Sequence, residues 1–197
     1  MPRAVNLFWD NSNIFIGART TVGGRGRGCT GGVRIDFDHL VQLAVAGRNL
    51  QSAFCVGSVP PPGDRVWGHL RQRGVELELY ERGGRTGTEQ AIDQALQVHL
   101  LRLNYDNSEP QIVTVLTGDG AGYAAGVGFR ADLERLHRAG WYIELLSWER
   151  CCSRPFREWV EDIGVFVPLD EWIDSIVFEE GVSRTKPLNL ARRKKMA

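Results

Sequence analysis

Short apolar runs alternate with longer amphipathic stretches along most of this 197-residue chain. The runs are rich in β-branched and aromatic residues and end at Gly, Pro or Asp, which is typical of strands. The stretches between them show the apolar periodicity of helices. Strands are predicted over residues 4–9, 52–59, 75–80, 112–116, 141–148 and 165–167, and helices over 36–45, 64–74, 88–103, 129–139 and 155–162. This alternation predicts an α/β fold, a three-layer sandwich with a mostly parallel central sheet.

The length predicts one domain over residues 1–180, followed by a basic C-terminal tail over 181–197. No apolar run approaches the ~18 residues of a membrane span. The first residues, MPRAVNLFWDNSN, lack the apolar stretch of a secretory signal, so a cytoplasmic protein is expected. The four cysteines and four histidines show no short ligand spacing, which argues against a structural zinc site.

The net charge is zero, but the charges are unevenly distributed. Residues 19–34 form a Gly/Arg-rich segment, interpreted as a loop, with four Arg and no acid. Residues 184–195 carry six bases and no acid. Each basic segment is suited to phosphate contacts, with Arg25 and Arg27 as the candidates in the first. A solvated segment that binds nothing is the alternative for both.

Acidic residues follow two of the predicted strands. The first strand runs into Asp10-Asn11-Ser12-Asn13, and the fourth runs into Thr117-Gly118-Asp119. Ligands of open parallel sheets bind beyond the carboxyl ends of the strands, where both acids lie. Asp at such a position also caps the next helix. Two acids on one sheet edge, with the amide oxygens of Asn11 and Asn13, suit a hard cation.

The helix predicted from Thr88 carries the third candidate acid. Its apolar stripe includes Glu89, with Asp93 at the edge one turn later. Two carboxylates on the side that faces the sheet repel each other and lose hydration, and a divalent cation compensates for both effects. The alternative for Glu89 is a favourable interaction with the helix N-terminus.

The chain resembles the NYN domain, a branch of the PIN-like nuclease superfamily. The resemblance runs over about residues 4–170 and rests on the Asp-Asn-Ser-Asn motif, the helix with Asp93 and the strand-Thr-Gly-Asp turn. It implies a PIN-like, Rossmann-like fold and a ribonuclease dependent on Mg²⁺ or Mn²⁺. Asp10, Asp93 and Asp119 then match the catalytic and metal-binding acids. Asn13 and Glu89 stand at the margin of the metal site, and Asn11, Asn13, Thr117, Arg25 and Arg27 are candidate substrate contacts.

The chain departs from many relatives at two positions, where Ala121 and His99 replace acids. A non-catalytic RNA-binding module with a depleted site is therefore the alternative function. RNA is the expected partner in both readings, no membrane is expected, and nothing indicates a homo-oligomer or a protein partner. A dinucleotide-binding site at Gly120–Ala125 is disfavoured, because Asp119 would place negative charge beside a pyrophosphate.

Overall fold

A computed structural model describes residues 3–26, 30–59, 65–81, 88–107, 109–118 and 126–196. Its main sheet has six strands, all paired in parallel, in the spatial order β4-β3-β1-β5-β6-β7. These are β1 (Val5–Asp10), β3 (Leu50–Val59), β4 (Glu76–Glu81), β5 (Ile112–Leu116), β6 (Tyr142–Ser147) and β7 (Val165–Pro168). The predicted α/β sandwich with a parallel central sheet is thus confirmed.

Helices cover both faces of this sheet. Those described are α1 (Asn11–Gly24), α2 (Phe37–Val45), α3 (Arg65–Gln72), α4 (Thr88–Asp106), α5 (Phe129–Arg138), α6 (Arg154–Ile163), α7 (Ile173–Ile176) and α8 (Ala191–Met196). One apolar core contains residues of α1, α2, α3 and α7, and the other contains residues of α4, α5 and α6. Each strand contributes to both cores through alternate side chains: Trp9 lies in the first and Phe8 in the second.

The direction of α4 matters for the site. Trp141, just before β6, donates its indole N–H to Asn104 Oδ1 at 3.1 Å, near the C-terminal end of α4. The helix therefore ends at the amino ends of the strands and begins at their carboxyl ends. The apolar stripe predicted for this helix is buried, with Leu96 3% and Leu100 0% exposed.

The segment 19–34 differs from its predicted loop. Its first part belongs to α1, which continues to Gly24, and its last part forms β2 (Val33–Ile35). β2 pairs antiparallel with β8 (Val177–Glu179). The two strands form a second, small sheet that the sequence pattern did not indicate. The loop prediction is therefore wrong at both ends, because burial of Ile14, Ala18 and Val22 extends the helix.

The basic C-terminal segment also differs from the predicted solvated tail. Arg193 in α8 is 0% exposed, and its Nη2 donates to Glu144 Oε2 at 2.6 Å. Arg48 also donates to this carboxylate, at 2.6 Å to Oε1 and 2.8 Å to Oε2. The segment is consequently anchored in the first core. Among the described helices, none is long and apolar enough to span a membrane.

Candidate functional site

The order of the strands places a crevice between β1 and β5. From β1 the chain adds β3 and β4 on one side, and β5, β6 and β7 follow on the other. Such a reversal of strand order is where open α/β sheets bind their ligands. Trp9 and Leu116 are paired in register, so Asp10 and Thr117 follow side by side on strands ~4.8 Å apart. Both side chains are 5% exposed.

Asp10 is held by hydrogen bonds from the first turn of α1. Its Oδ1 accepts the backbone N–H of Ser12 at 2.8 Å and that of Asn13 at 3.2 Å. Its Oδ2 accepts the side-chain Nδ2 of Asn13 at 2.6 Å. Asp10 is therefore both the N-cap of α1 and a carboxylate fixed in orientation, which confirms the capping interpretation without excluding a metal.

Asn13 connects this carboxylate to the turn after β5. A Cβ built on Gly118 would lie 3.6 Å from Asn13 Oδ1 and 3.0 Å from the carbonyl oxygen of Cys151. Glycine at 118 thus permits the turn to approach both α1 and the loop after β6. Asp119 follows directly in the chain but lies outside the described residues, as does Ala121.

Asn11 lies against the other neighbour of β1. A Cβ built on Gly57 in β3 would lie 3.3 Å from the Cβ of Asn11. Its buried Oδ1 has no hydrogen-bond partner among the residues that the structure describes. Asn11 is therefore on the β3 side of the crevice, whereas Asn13 is on the β5 side.

The helix α4 begins over this edge of the sheet. The His99 ring stacks on Phe54 with centroids 3.7 Å apart, and Phe54 is paired with Phe8 in β1. Asp93 precedes His99 by six helical residues, or ~9 Å toward the carboxyl ends. Asp10 lies two strand residues, or ~7 Å, beyond Phe8 in the same direction. The backbone at Asp93 is thus level with the end of β1.

The side chains of Glu89 and Asp93 lie outside the described part of the structure. Among the side chains that are described, no three acids, histidines or cysteines are grouped to hold a metal. His99, one of the two positions at which the sequence comparison with the family predicts a depleted site, faces Glu76 at 4.0 Å and Glu78 at 3.9 Å on β4. It is a stacked, half-buried residue rather than a ligand at the crevice.

A thiol beneath the site is kept protonated. Cys55 in β3 is fully buried, and burial raises its pKa well above the ordinary value. The negative charge of Asp10 raises it further. Cys55 is therefore not poised as a nucleophile, as expected for a thiol without a catalytic role.

Two described arginines of the 19–34 segment, Arg25 and Arg34, are not at Asp10. Arg25 follows the last turn of α1, about 21 Å from Asn11 at ~1.5 Å per residue. Its Nη2 donates to the carbonyl oxygen of Asp170 at 3.1 Å. Arg34 in β2 pairs with Glu180 at 2.6 Å, and Arg27 lies outside the described residues.

Comparisons with known proteins agree with this fold. A sequence model of the NYN domain, a PIN-like family, matches residues 4–162. This match points to a nuclease-like function related to RNA. A crystal structure of a protein of unknown function from Vibrio parahaemolyticus RIMD 2210633 superposes with a TM-score of 0.60 at 15% identity. The alignment covers 86% of this chain and 94% of that one and shows a shared fold. No curated protein matches the chain in sequence.

Proposed function

Because the chain belongs to the NYN domain family, we propose that it is a ribonuclease that uses Mg²⁺ or Mn²⁺ to hydrolyse RNA phosphodiester bonds. One observation carries the proposal: a carboxylate fixed by three N–H donors lies at the crevice between β1 and β5, where this fold binds ligands.

The groups at the crevice fit a hard divalent cation. Asp10 supplies carboxylate oxygens, Asn13 directs its Oδ1 toward Gly118, and Thr117 adds a hydroxyl oxygen. Oxygen donors of this kind are what Mg²⁺ and Mn²⁺ prefer. We propose Asp10, Asp93 and Asp119 as the acids that hold the ion, with Glu89 and Asn13 at the margin. A divalent cation held by these residues would offset phosphodiester charge and make the attacking water more acidic.

The residues of this chain do the positioning. Asn13 fixes the orientation of the Asp10 carboxylate, so that little reorganisation is required when substrate arrives. Thr117 and Asn11 stand on the two sides of Asp10, and we propose that they contact the substrate near the scissile phosphate. We propose Arg25 and Arg27 as phosphate contacts farther along the RNA, since Arg25 lies one helix length from Asp10.

Replacing Asp10 with Asn tests the proposal. Asn is as good an N-cap as Asp, so the variant is expected to fold, but it lacks the negative charge that holds the cation. RNA cleavage in Mn²⁺ should be abolished in Asp10→Asn, as it should be in wild-type protein with excess EDTA. The assay compares cleavage of labelled single-stranded RNA by both proteins.

Asp36→Asn is the matched control. Asp36 caps α2 through the backbone N–H of His39 at 3.0 Å and is not at the crevice. This variant should cleave RNA at the wild-type rate. Equal cleavage by wild type and Asp10→Asn would show that the activity comes from another site or from a contaminant.

A non-catalytic RNA-binding module remains the second candidate, and the position of His99 favours it. Because His99 stacks on Phe54, this position adds no negative charge to the crevice. The two functions separate in EDTA: a binding module retains RNA affinity and shows no cleavage in Mn²⁺. Cleavage in Mn²⁺ that is lost in Asp10→Asn excludes the binding module.

A further inference from the structure

The loop that follows β6, residues 148–153, contacts two segments of the proposed metal site. These are the first turn of α1 and the residues that follow β5. Trp148 is 1% exposed, and its indole Nε1 donates to the carbonyl oxygen of Ile14 at 2.9 Å. Ile14 follows Asn13, the residue whose side chain fixes Asp10. The indole therefore anchors the first turn of α1, whose N–H groups hold the Asp10 carboxylate.

A missing side chain makes this contact close. A Cβ on Gly17, one turn after Ile14, would overlap Cδ1 of Trp148 and would lie 2.9 Å from Cγ. Glycine costs stability inside a helix, by ~0.5–1 kcal/mol relative to Ala. At position 17 the glycine is needed because the indole of Trp148 lies directly against the helix backbone.

The same loop also holds the turn after β5. The carbonyl oxygen of Trp148 accepts the N–H groups of Cys151 and Cys152 at 3.0 and 2.9 Å, which folds the loop back. The backbone N–H of Ser153 then donates to the carbonyl oxygen of Gly118 at 2.9 Å. Gly118 precedes Asp119 in the chain, so one short loop contacts both segments that bear proposed ligands.

We infer that Trp148 is a positioning residue of the metal site, which sets the spacing between Asp10 and Gly118, the residue that precedes Asp119 in the chain. This inference rests on the proposed function. Trp148 does not touch the cation; it acts through Ile14 on α1 and through the loop on Gly118. Groups that orient metal ligands change metal affinity by ~10–100-fold when they are removed.

The test measures Mn²⁺ binding by isothermal titration calorimetry. Wild-type protein and Trp148→Phe are each titrated with MnCl₂ alone. Phe keeps an aromatic ring in the core and removes the N–H that Ile14 accepts. The dissociation constant for Mn²⁺ should rise by about tenfold. Site-specific incorporation of benzothienylalanine at 148, which keeps the size of indole without its N–H, should give the same rise without the loss of ring volume.

Trp141→Phe is the matched control. Trp141 is 2% exposed, and its indole N–H also has one acceptor, Asn104, but it lies at the amino ends of the strands. Its variant should lose stability in urea while its Mn²⁺ affinity stays at the wild-type value. An unchanged Mn²⁺ affinity in both Trp148 variants, or an equal change in Trp141→Phe, overturns the positioning role. Wild-type protein that binds no Mn²⁺ overturns the proposed function and this inference together.

Discussion

Two glycines in described helices occupy opposite environments, and the same substitution should have opposite effects on them. Gly17 in α1 faces the indole of Trp148, whereas a Cβ on Gly68 in α3 would meet no atom within 4 Å. Gly17→Ala should lower the free energy of unfolding by ~1–3 kcal/mol, the usual cost of overpacking a core. Gly68→Ala should raise it by ~0.5–1 kcal/mol, because Ala loses less backbone entropy in a helix.

Urea unfolding midpoints of the two variants check this prediction. Equal shifts of the two midpoints in either direction would mean that Gly17 is not in close contact with Trp148. The comparison also bears on the positioning role, since Gly17 is the residue against which the indole packs.

Local patterns in the sequence predicted the elements of the main sheet. The strand over 112–116 has the predicted bounds, and the helix predicted over 36–45 is α2, which Asp36 caps. Burial follows the alternation of strand side chains and the stripe of α4, which are short-range signals. These patterns are sufficient because each element buries one face against the sheet.

Elements that depend on distant partners gave no such signal. Gly and Thr in the second half of α1 disfavour a helix, but burial of that half overrides the local preference. β2 and β8 have three residues each and pair across more than a hundred intervening positions. Nothing in a basic run near the C-terminus indicates that one of its arginines meets Glu144 in the core.

The anchoring of α8 predicts a contrast between neighbouring arginines. Arg193 is fully buried and paired with Glu144, whereas Arg192 is 69% exposed and pairs with Glu171 at 2.7 Å. Arg193→Ala removes one of the two arginines that pair with Glu144 and leaves a cavity in the core, so it should cost ~2–5 kcal/mol. Arg192→Ala removes a surface ion pair and should cost less than about 1 kcal/mol.

Chemical denaturation of both variants measures these costs. Similar losses for Arg192→Ala and Arg193→Ala would contradict the buried ion pair and would restore the interpretation of a solvated C-terminal tail.

The same buried cluster ties the stability of the whole chain to acid pH. Burial opposes ionisation of Glu144, but hydrogen bonds and charges from Arg48 and Arg193 outweigh it, so the pKa of Glu144 is lowered from 4.5. A carboxylate with a lowered folded-state pKa stabilises the protein fully above its unfolded-state pKa. That contribution is lost as the pH falls from about 4.5 toward the folded-state value.

Glu144→Gln should therefore be less stable than wild type at neutral pH, and the difference should shrink as the pH falls below about 4.5. Unfolding free energies of both proteins between about pH 3 and pH 7 show this convergence. A difference that stays constant over that range would mean that Glu144 does not titrate with folding.

The candidate site follows from the topology of the whole sheet more than from any single motif. The sequence placed Asp10 at a strand end, and the strand order then puts that end at the reversal point between β1 and β5. The convergence of Asp93 and Asp119 on Asp10 stays a prediction. Trp148 had no sequence signal, because its contacts with Ile14 and Gly17 join residues more than a hundred positions apart.

Locating the bound cation in a crystal structure tests the proposed function most directly. Crystals of the wild-type protein soaked in MnCl₂ would be examined by anomalous diffraction at the manganese edge. A peak at bonding distance from Asp10, Asp93 and Asp119 together is the result expected of a metal-dependent ribonuclease. No peak at Asp10, or carboxylates of Asp10 and Asp119 more than about 10 Å apart, would contradict it, since that separation far exceeds the ~3.5–4 Å spacing of two-metal sites.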